Sequence, residues 1–163
     1  MIEILPADFG RPNHADALIQ LLDAYAREPM GGGQGLAEGV KVRLPTALAE
    51  RSGTVVLLAW EEREPIGLLI AFEGFSTFAC RPLFNIHDLF VSAAHRGRGV
   101  ARQLFARLEE FATDRGCCKL TLEVLDENRE AQATYRRLGF RPYELSPEAG
   151  RAVLWQKSLS IRP

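Results

Sequence analysis

The chain has 163 residues, 47% of them hydrophobic and 25% charged, enough for one globular domain with its own core. Twenty basic against twenty-one acidic residues leave a net charge of -1, which argues against a nucleic-acid or anionic-membrane binder acting through bulk charge. No apolar run approaches the roughly 20 residues of a membrane span, and residues 1–6 lack the pattern of a signal peptide, so a soluble, cytoplasmic protein without nucleic-acid or membrane partners is expected.

In chain order, residues 2–5 alternate like a short strand, and Ala15, Leu18, Leu22 and Tyr25 recur at helical spacing over 12–27. Residues 29–35, Pro-Met-Gly-Gly-Gly-Gln-Gly, suit no element interior and predict a mobile loop. A helix over 40–51 is predicted to be interrupted at Pro45. Ser52-Gly53 then leads into a buried strand over 54–60, joined by a polar turn at 61–64 to a second over 66–72 as an antiparallel hairpin. The next strand covers 84–91. Val100, Leu104, Leu108 and Phe111 define a helix within 97–115, closed by Gly116. A strand over 119–125, a helix over 129–138 before Gly139, and two final strands over 140–143 and 152–159 complete an α/β domain with one mixed sheet flanked by helices. Three cysteines, with Cys117 and Cys118 adjacent, read as reduced thiols, and no second Cys or His pair stands at metal-ligand spacing.

The chemistry concentrates in 91–101, Val-Ser-Ala-Ala-His-Arg-Gly-Arg-Gly-Val-Ala, a strand end followed by a basic turn and a helix start. Amides at a helix N-terminus have no helical partner and the macrodipole is positive there, so this turn suits a phosphate or diphosphate. Arg96, Arg98, Arg102 and Arg107 fall between 94 and 107 with no acidic residue among them, although a solvated helix start with chance arginines would read the same. The stretch lacks the third small residue of GxGxxG, and neither GxxxxGK[ST] nor GxSxG occurs.

Arg96-x-x-Gly99-x-Ala101 after a hydrophobic strand resembles the acetyl-CoA pyrophosphate motif of the GNAT superfamily of N-acetyltransferases. Asn128-x-x-Ala131-x-x-x-Tyr135-x-x-Leu138-Gly139-Phe140 resembles that family's downstream cofactor helix. The resemblance implies a single domain over 1–163 with a mixed, mostly antiparallel sheet of six to seven strands, about four helices and a splayed parallel pair at the cofactor site. It implies acetyl-CoA as co-substrate and no metal. The diphosphate would lie on the main chain of Arg96, Gly97, Arg98, Gly99, Val100, Ala101 and Arg102. Pantetheine would lie on the backbone of Leu89, Phe90 and Val91 and on Asn128, beside Ala131, and a backbone N–H near 89–91 would serve the oxyanion.

Tyr135 shares a helical stripe with Ala131 and Leu138; by itself it reads as a core tyrosine, and the resemblance makes it the general acid toward the thiolate. The implied reaction is direct attack of a primary amine, of a small molecule or peptide, in a ternary complex. A non-catalytic acyl-CoA-binding or sensing domain of the same fold is the alternative, and a homodimer is a further expectation.

Candidates for taking the amine proton are His87 and Asp88. Their segment, Asn85-Ile86-His87-Asp88-Leu89-Phe90-Val91, resembles the Glu-Asp-Phe-Phe-Val strand of diamine acetyltransferases with His87 in place of the glutamate. Alternation predicts that these two face opposite sides of the sheet. His95 reads as a turn residue and His14 as a helix-start polar group. Glu73 and Asp88 hint at a cationic acceptor such as a polyamine, an aminoglycoside or a lysine-like side chain, with residues 31–35 bordering its site.

Overall fold

Three antiparallel pairings and one parallel pairing organise the chain, in a computed structural model that describes residues 1–148 and 150–159. The chain divides into two compact units, Met1–Leu122 and Glu123–Pro163. The first holds the sheet: β1 (Ile2–Pro6), β2 (Thr54–Glu61), β3 (Glu64–Ser76), β4 (Arg81–Val91) and β5 (Leu120–Leu122), in that spatial order. It also holds α1 (Pro12–Arg27), α2 (Glu38–Glu50) and α3 (Val100–Asp114), with short 3-10 turns at Pro29–Gly31 and Ala93–His95.

Every residue of β2 from Val55 to Trp60 is buried, because both faces of the strand are covered. On one face Val56, Leu58 and Trp60 join Leu68, Ile70 and Phe90 against Ala17, Leu18, Leu21 and Leu22 of α1, whose spacing of three and four residues makes one stripe. On the other face Gly67 admits α3: a Cβ there would stand 3.1 Å from Val100 Cγ1 and 3.3 Å from Ala59 Cβ. Pro45 lies inside α2 without ending it; the ladder bond it removes belongs to a helix that buries only Leu48. No helix among the described residues is long and apolar enough to cross a membrane.

The second unit contains α4 (Arg129–Arg137). The two closing strands expected over 140–143 and 152–159 are not formed, which reduces the expected six to seven strands to five among the described residues. A single antiparallel bridge joins Glu144 to Arg151, and the Ala152 N–H donates to the Tyr143 carbonyl (3.0 Å). Pro142 and Pro147 carry no N–H donor, and two extended segments without a third strand are marginal in water. The strand expected over 119–125 is likewise confined to Leu120–Leu122.

Candidate functional site

The β4–β5 ladder pairs Phe84 with Leu120, Asn85 with Thr121 and Ile86 with Leu122, then stops, so that from His87 to Val91 the outer edge of β4 has no β5 residue opposite. The cause lies on the other edge. Against β3, Ile86 pairs with Ala71 and Asp88 with Ile70, which leaves His87 as the extra residue of a β-bulge. Bulges re-aim side chains and end pairing.

This bulge overturns the expected alternation of His87 and Asp88. The exposed His87 ring stands edge-on to Phe72, 5.5 Å between centroids, and Phe72 packs against the α1-side core. Asp88 opposes Ile70 of that same core, so both residues are on the α1 face. Burial pushes the Asp88 carboxyl above the usual carboxylate range, partly offset by the neighbouring His87.

The end of α1 completes this patch. The Tyr25 ring lies 6.0 Å from Phe90, and burial, followed by the charges of Asp88 and Glu28, pushes its hydroxyl pKa up. Glu28 follows α1; its N–H donates to the Tyr25 carbonyl (3.0 Å), and its own carbonyl accepts from Gly31 (2.8 Å) and Gly33 (3.0 Å). Within the glycine-rich stretch the Gly31, Gly33 and Gln34 amides are thus hydrogen-bonded back to the end of α1. The Gln34 N–H donates to Ala26 O (3.1 Å) and the Leu36 N–H to Asp23 Oδ1 (2.7 Å). Bonds from Arg27 and from Leu36 hold the Asp23 carboxyl below its usual range. Only glycine fits at position 31, where a Cβ would stand 1.9 Å from the Tyr25 carbonyl oxygen.

Beyond β4 the backbone turns through Gly97 (φ 74) and Gly99 (φ 81), left-handed conformations that glycine adopts without cost. The first ladder bond of α3 runs from the Gln103 N–H to Gly99 O (3.1 Å), so the amides of Val100, Ala101 and Arg102 have no helical carbonyl to reach. No side chain caps this terminus, and a Cβ on Gly97 would meet nothing within 4 Å. The turn is open main chain with a positive end, which fits a diphosphate.

The four arginines are not equivalent. Arg98 makes a two-pronged pair with Glu61 (2.9 and 2.6 Å), which holds the Glu61 carboxyl below its usual range. Arg107 pairs with Glu110, and Arg96 pairs with Glu28 while donating from Nε to Val91 O (3.1 Å). Arg102 has no carboxylate partner among the described residues, and its Nη2 lies 3.7 Å from where a Cβ on Gly99 would stand.

His95 braces the turn, its Nδ1 2.7 Å from Ser92 Oγ and its Nε2 3.5 Å from Glu61. His14 is a core residue, 4% exposed, accepting the Asp8 N–H at Nδ1 beside Trp60. Glu73 is drawn to Arg115 (3.3 Å) just past the far end of α3, about 20 Å of helix from the turn.

In the second unit Asn128 is the N-cap of α4: its Oδ1 accepts the Ala131 N–H (3.2 Å), leaving the two Nδ2 hydrogens as side-chain donors. Glu130 in the first turn and Arg136 and Arg137 in the last complement the helix dipole. Tyr135 stands 6.1 Å from Phe140, and the Phe140 N–H donates to the Tyr135 carbonyl (3.0 Å) across Gly139 (φ 92). Among the described residues no group of three or more His, Cys, Asp or Glu side chains could hold a metal ion.

Tyr25, Glu28 and Glu61 were not singled out in the sequence as site residues. The only local signal was the placing of Tyr25 and Glu28, three residues apart, directly before the glycine-rich stretch.

A family model described as "Acetyltransferase (GNAT) family" matches residues 15–140. The thialysine N-epsilon-acetyltransferase of Bos taurus is 32% identical over 74 residues, 45% of this chain and 43% of that protein. The streptothricin acetyltransferase of Streptomyces lavendulae is 39% identical over 74 residues, 45% of this chain and 39% of that protein. These matches span less than half of either relative. A solved structure of AAC(6')-Iy in complex with the bisubstrate analog CoA-S-monomethyl-acetylneamine superposes with a TM-score of 0.76 at 20% identity, covering 98% of this chain and 99% of that one.

Proposed function

The chain belongs to the acetyltransferase (GNAT) family, and on that premise we propose that it transfers an acetyl group from acetyl-CoA to a primary amine of a small molecule or peptide by direct attack in a ternary complex. One observation carries the reading: a strand whose outer edge loses its partner at a bulge leads through a short turn into an uncapped helix start with open amides and Arg102, which has no carboxylate partner among the described residues. Such a run offers hydrogen-bonding groups along an extended ligand and a positive terminus for its anionic part. The activities named for the two relatives, on thialysine and on streptothricin, favour a small-molecule acceptor.

Acetyl-CoA supplies the activated acetyl group and a thiol leaving group. The residues proposed to hold it are the backbone of Leu89, Phe90 and Val91, the main chain from Arg96 through Gly97, Arg98, Gly99, Val100 and Ala101 to Arg102, and Asn128 beside Ala131. A β4 amide serves the oxygen as it gains charge. The acceptor nitrogen forms the new bond to carbon as the bond to sulfur breaks. His87, directly or through a water, takes the proton that the amine gives up, and Asp88 holds the cationic acceptor. Tyr135 gives a proton to the sulfur, a transfer that reference pKa values of about 10 for a phenol and 8.5 for a thiol leave within easy reach. The whole chain is proposed to act as one acetyltransferase domain.

A thiol-release screen over amines, amino acids and antibiotic amines tests the reading. Release proportional to time and protein with at least one amine is expected. Tight acetyl-CoA binding with no release across the panel would instead indicate a sensor of the same fold.

A further inference from the structure

Arg96 belongs to two places at once. Its backbone is part of the turn before α3, while its guanidinium reaches the α1 end, paired with Glu28 and standing 6.0 Å over the Phe90 ring. Three main-chain bonds fix the Glu28 backbone, so the residue stays at the end of α1 if the pair opens. The patch around it already contains Tyr25, whose hydroxyl pKa is pushed up by burial and then by the charges of Asp88 and Glu28, and Asp88, whose carboxyl pKa is pushed up by burial. Arg96 is the cation paired with Glu28; His87 is the titratable side chain beside Asp88.

Resting on the proposed acetyl-CoA reading, we propose that Arg96 is a latch with two positions, held by Glu28 in one and drawn to the cofactor diphosphate in the other, so that cofactor binding uncovers Glu28 as a second carboxylate for a cationic acceptor. The exchange is physically reasonable because the pair is part-exposed, Glu28 at 34% and Arg96 at 39%, and therefore weak. A diphosphate carries more charge than one carboxylate and would meet the same guanidinium at the turn. Once released, Glu28 and Asp88 present two anionic groups on one face, suited to an acceptor carrying a second positive charge besides the amine that reacts. Acceptor affinity therefore rises when the cofactor is bound; the coupling is reciprocal.

Removing the competitor should tighten cofactor binding. By calorimetry, Glu28→Gln is expected to bind acetyl-CoA about two- to fivefold more tightly than wild type, the range of an exposed ion pair. Glu28→Asp, whose shorter side chain withdraws from Arg96, should fall between the two. Glu110→Gln removes the same charge from the Arg107 pair and should leave affinity unchanged, separating the latch from a general charge effect. Melting curves confirm that each variant is folded. A Glu28→Gln affinity equal to or weaker than wild type, or a gain matched by Glu110→Gln, overturns the latch alone. A wild type that binds no acetyl-CoA overturns the acetyltransferase reading and the latch together.

Discussion

The two stretches that carry the family's motifs differ in the bonds that frame them. In the turn before α3, side chains are anchored by residues remote in sequence: Arg96 by Glu28, Arg98 by Glu61, Val100 by the gap that Gly67 leaves in β3. Around α4 two amides are held by near neighbours, Ala131 by the Asn128 side chain and Phe140 by the Tyr135 carbonyl. The first stretch takes its charge pattern from the fold around it, whereas the backbone frame of the second is set by near neighbours in a short segment. Substitutions in the second should therefore change one step sharply, and substitutions in the first should spread over binding, acid–base behaviour and stability.

Tyr135→Phe tests this at its sharpest. Removing one oxygen from a local motif is expected to lower kcat by about a hundredfold or more, the effect of losing a positioned acid, while the calorimetric affinity for acetyl-CoA stays within about twofold. Full kcat in the variant would make Tyr135 a packing residue and erase the contrast.

The β4 pair should behave less cleanly. His87→Ala is expected to lower kcat/KM by about a hundredfold, the smaller end of general-base effects, and Asp88→Asn to act mainly on the KM of a cationic acceptor. Asp88 also carries a stability effect of defined sign. Its native pKa is raised, so between the unfolded value of about 3.9 and the native one the folded state binds the extra proton, and stability falls as pH rises through that window. Asp88→Asn is expected to melt no lower than wild type at pH 7 and to lose that advantage near pH 3. An unchanged kcat/KM in His87→Ala would remove His87 from the mechanism.

Much of this was legible in the sequence because it is written locally. The helices over α1 and α3 follow from apolar spacing, and the uncapped turn follows from Gly97 and Gly99 before Val100. The bulge was not legible: the alternation from Phe84 to Val91 continues in the letters, and only the pairing with Ile70 and Ala71 shows that His87 has no opposite residue. Nor could four arginines in a row of fourteen residues reveal that three are tied to Glu28, Glu61 and Glu110, since two of those partners lie more than thirty residues away. The closing strands failed for the converse reason. Their alternation is present, but Pro142, Pro147 and the lack of a third partner leave one bridge.

The central claim is that the open main chain at the start of α3 binds the cofactor diphosphate. Titration of acetyl-CoA into wild type and Gly99→Glu, repeated at low and high salt, tests it most directly. The account predicts binding to the wild type that weakens as salt rises, because the ligand is polyanionic, and a loss of at least about tenfold in Gly99→Glu, whose carboxylate enters the cradle at a residue with φ 81. Equal affinity in the two proteins, or none in the wild type, would contradict it.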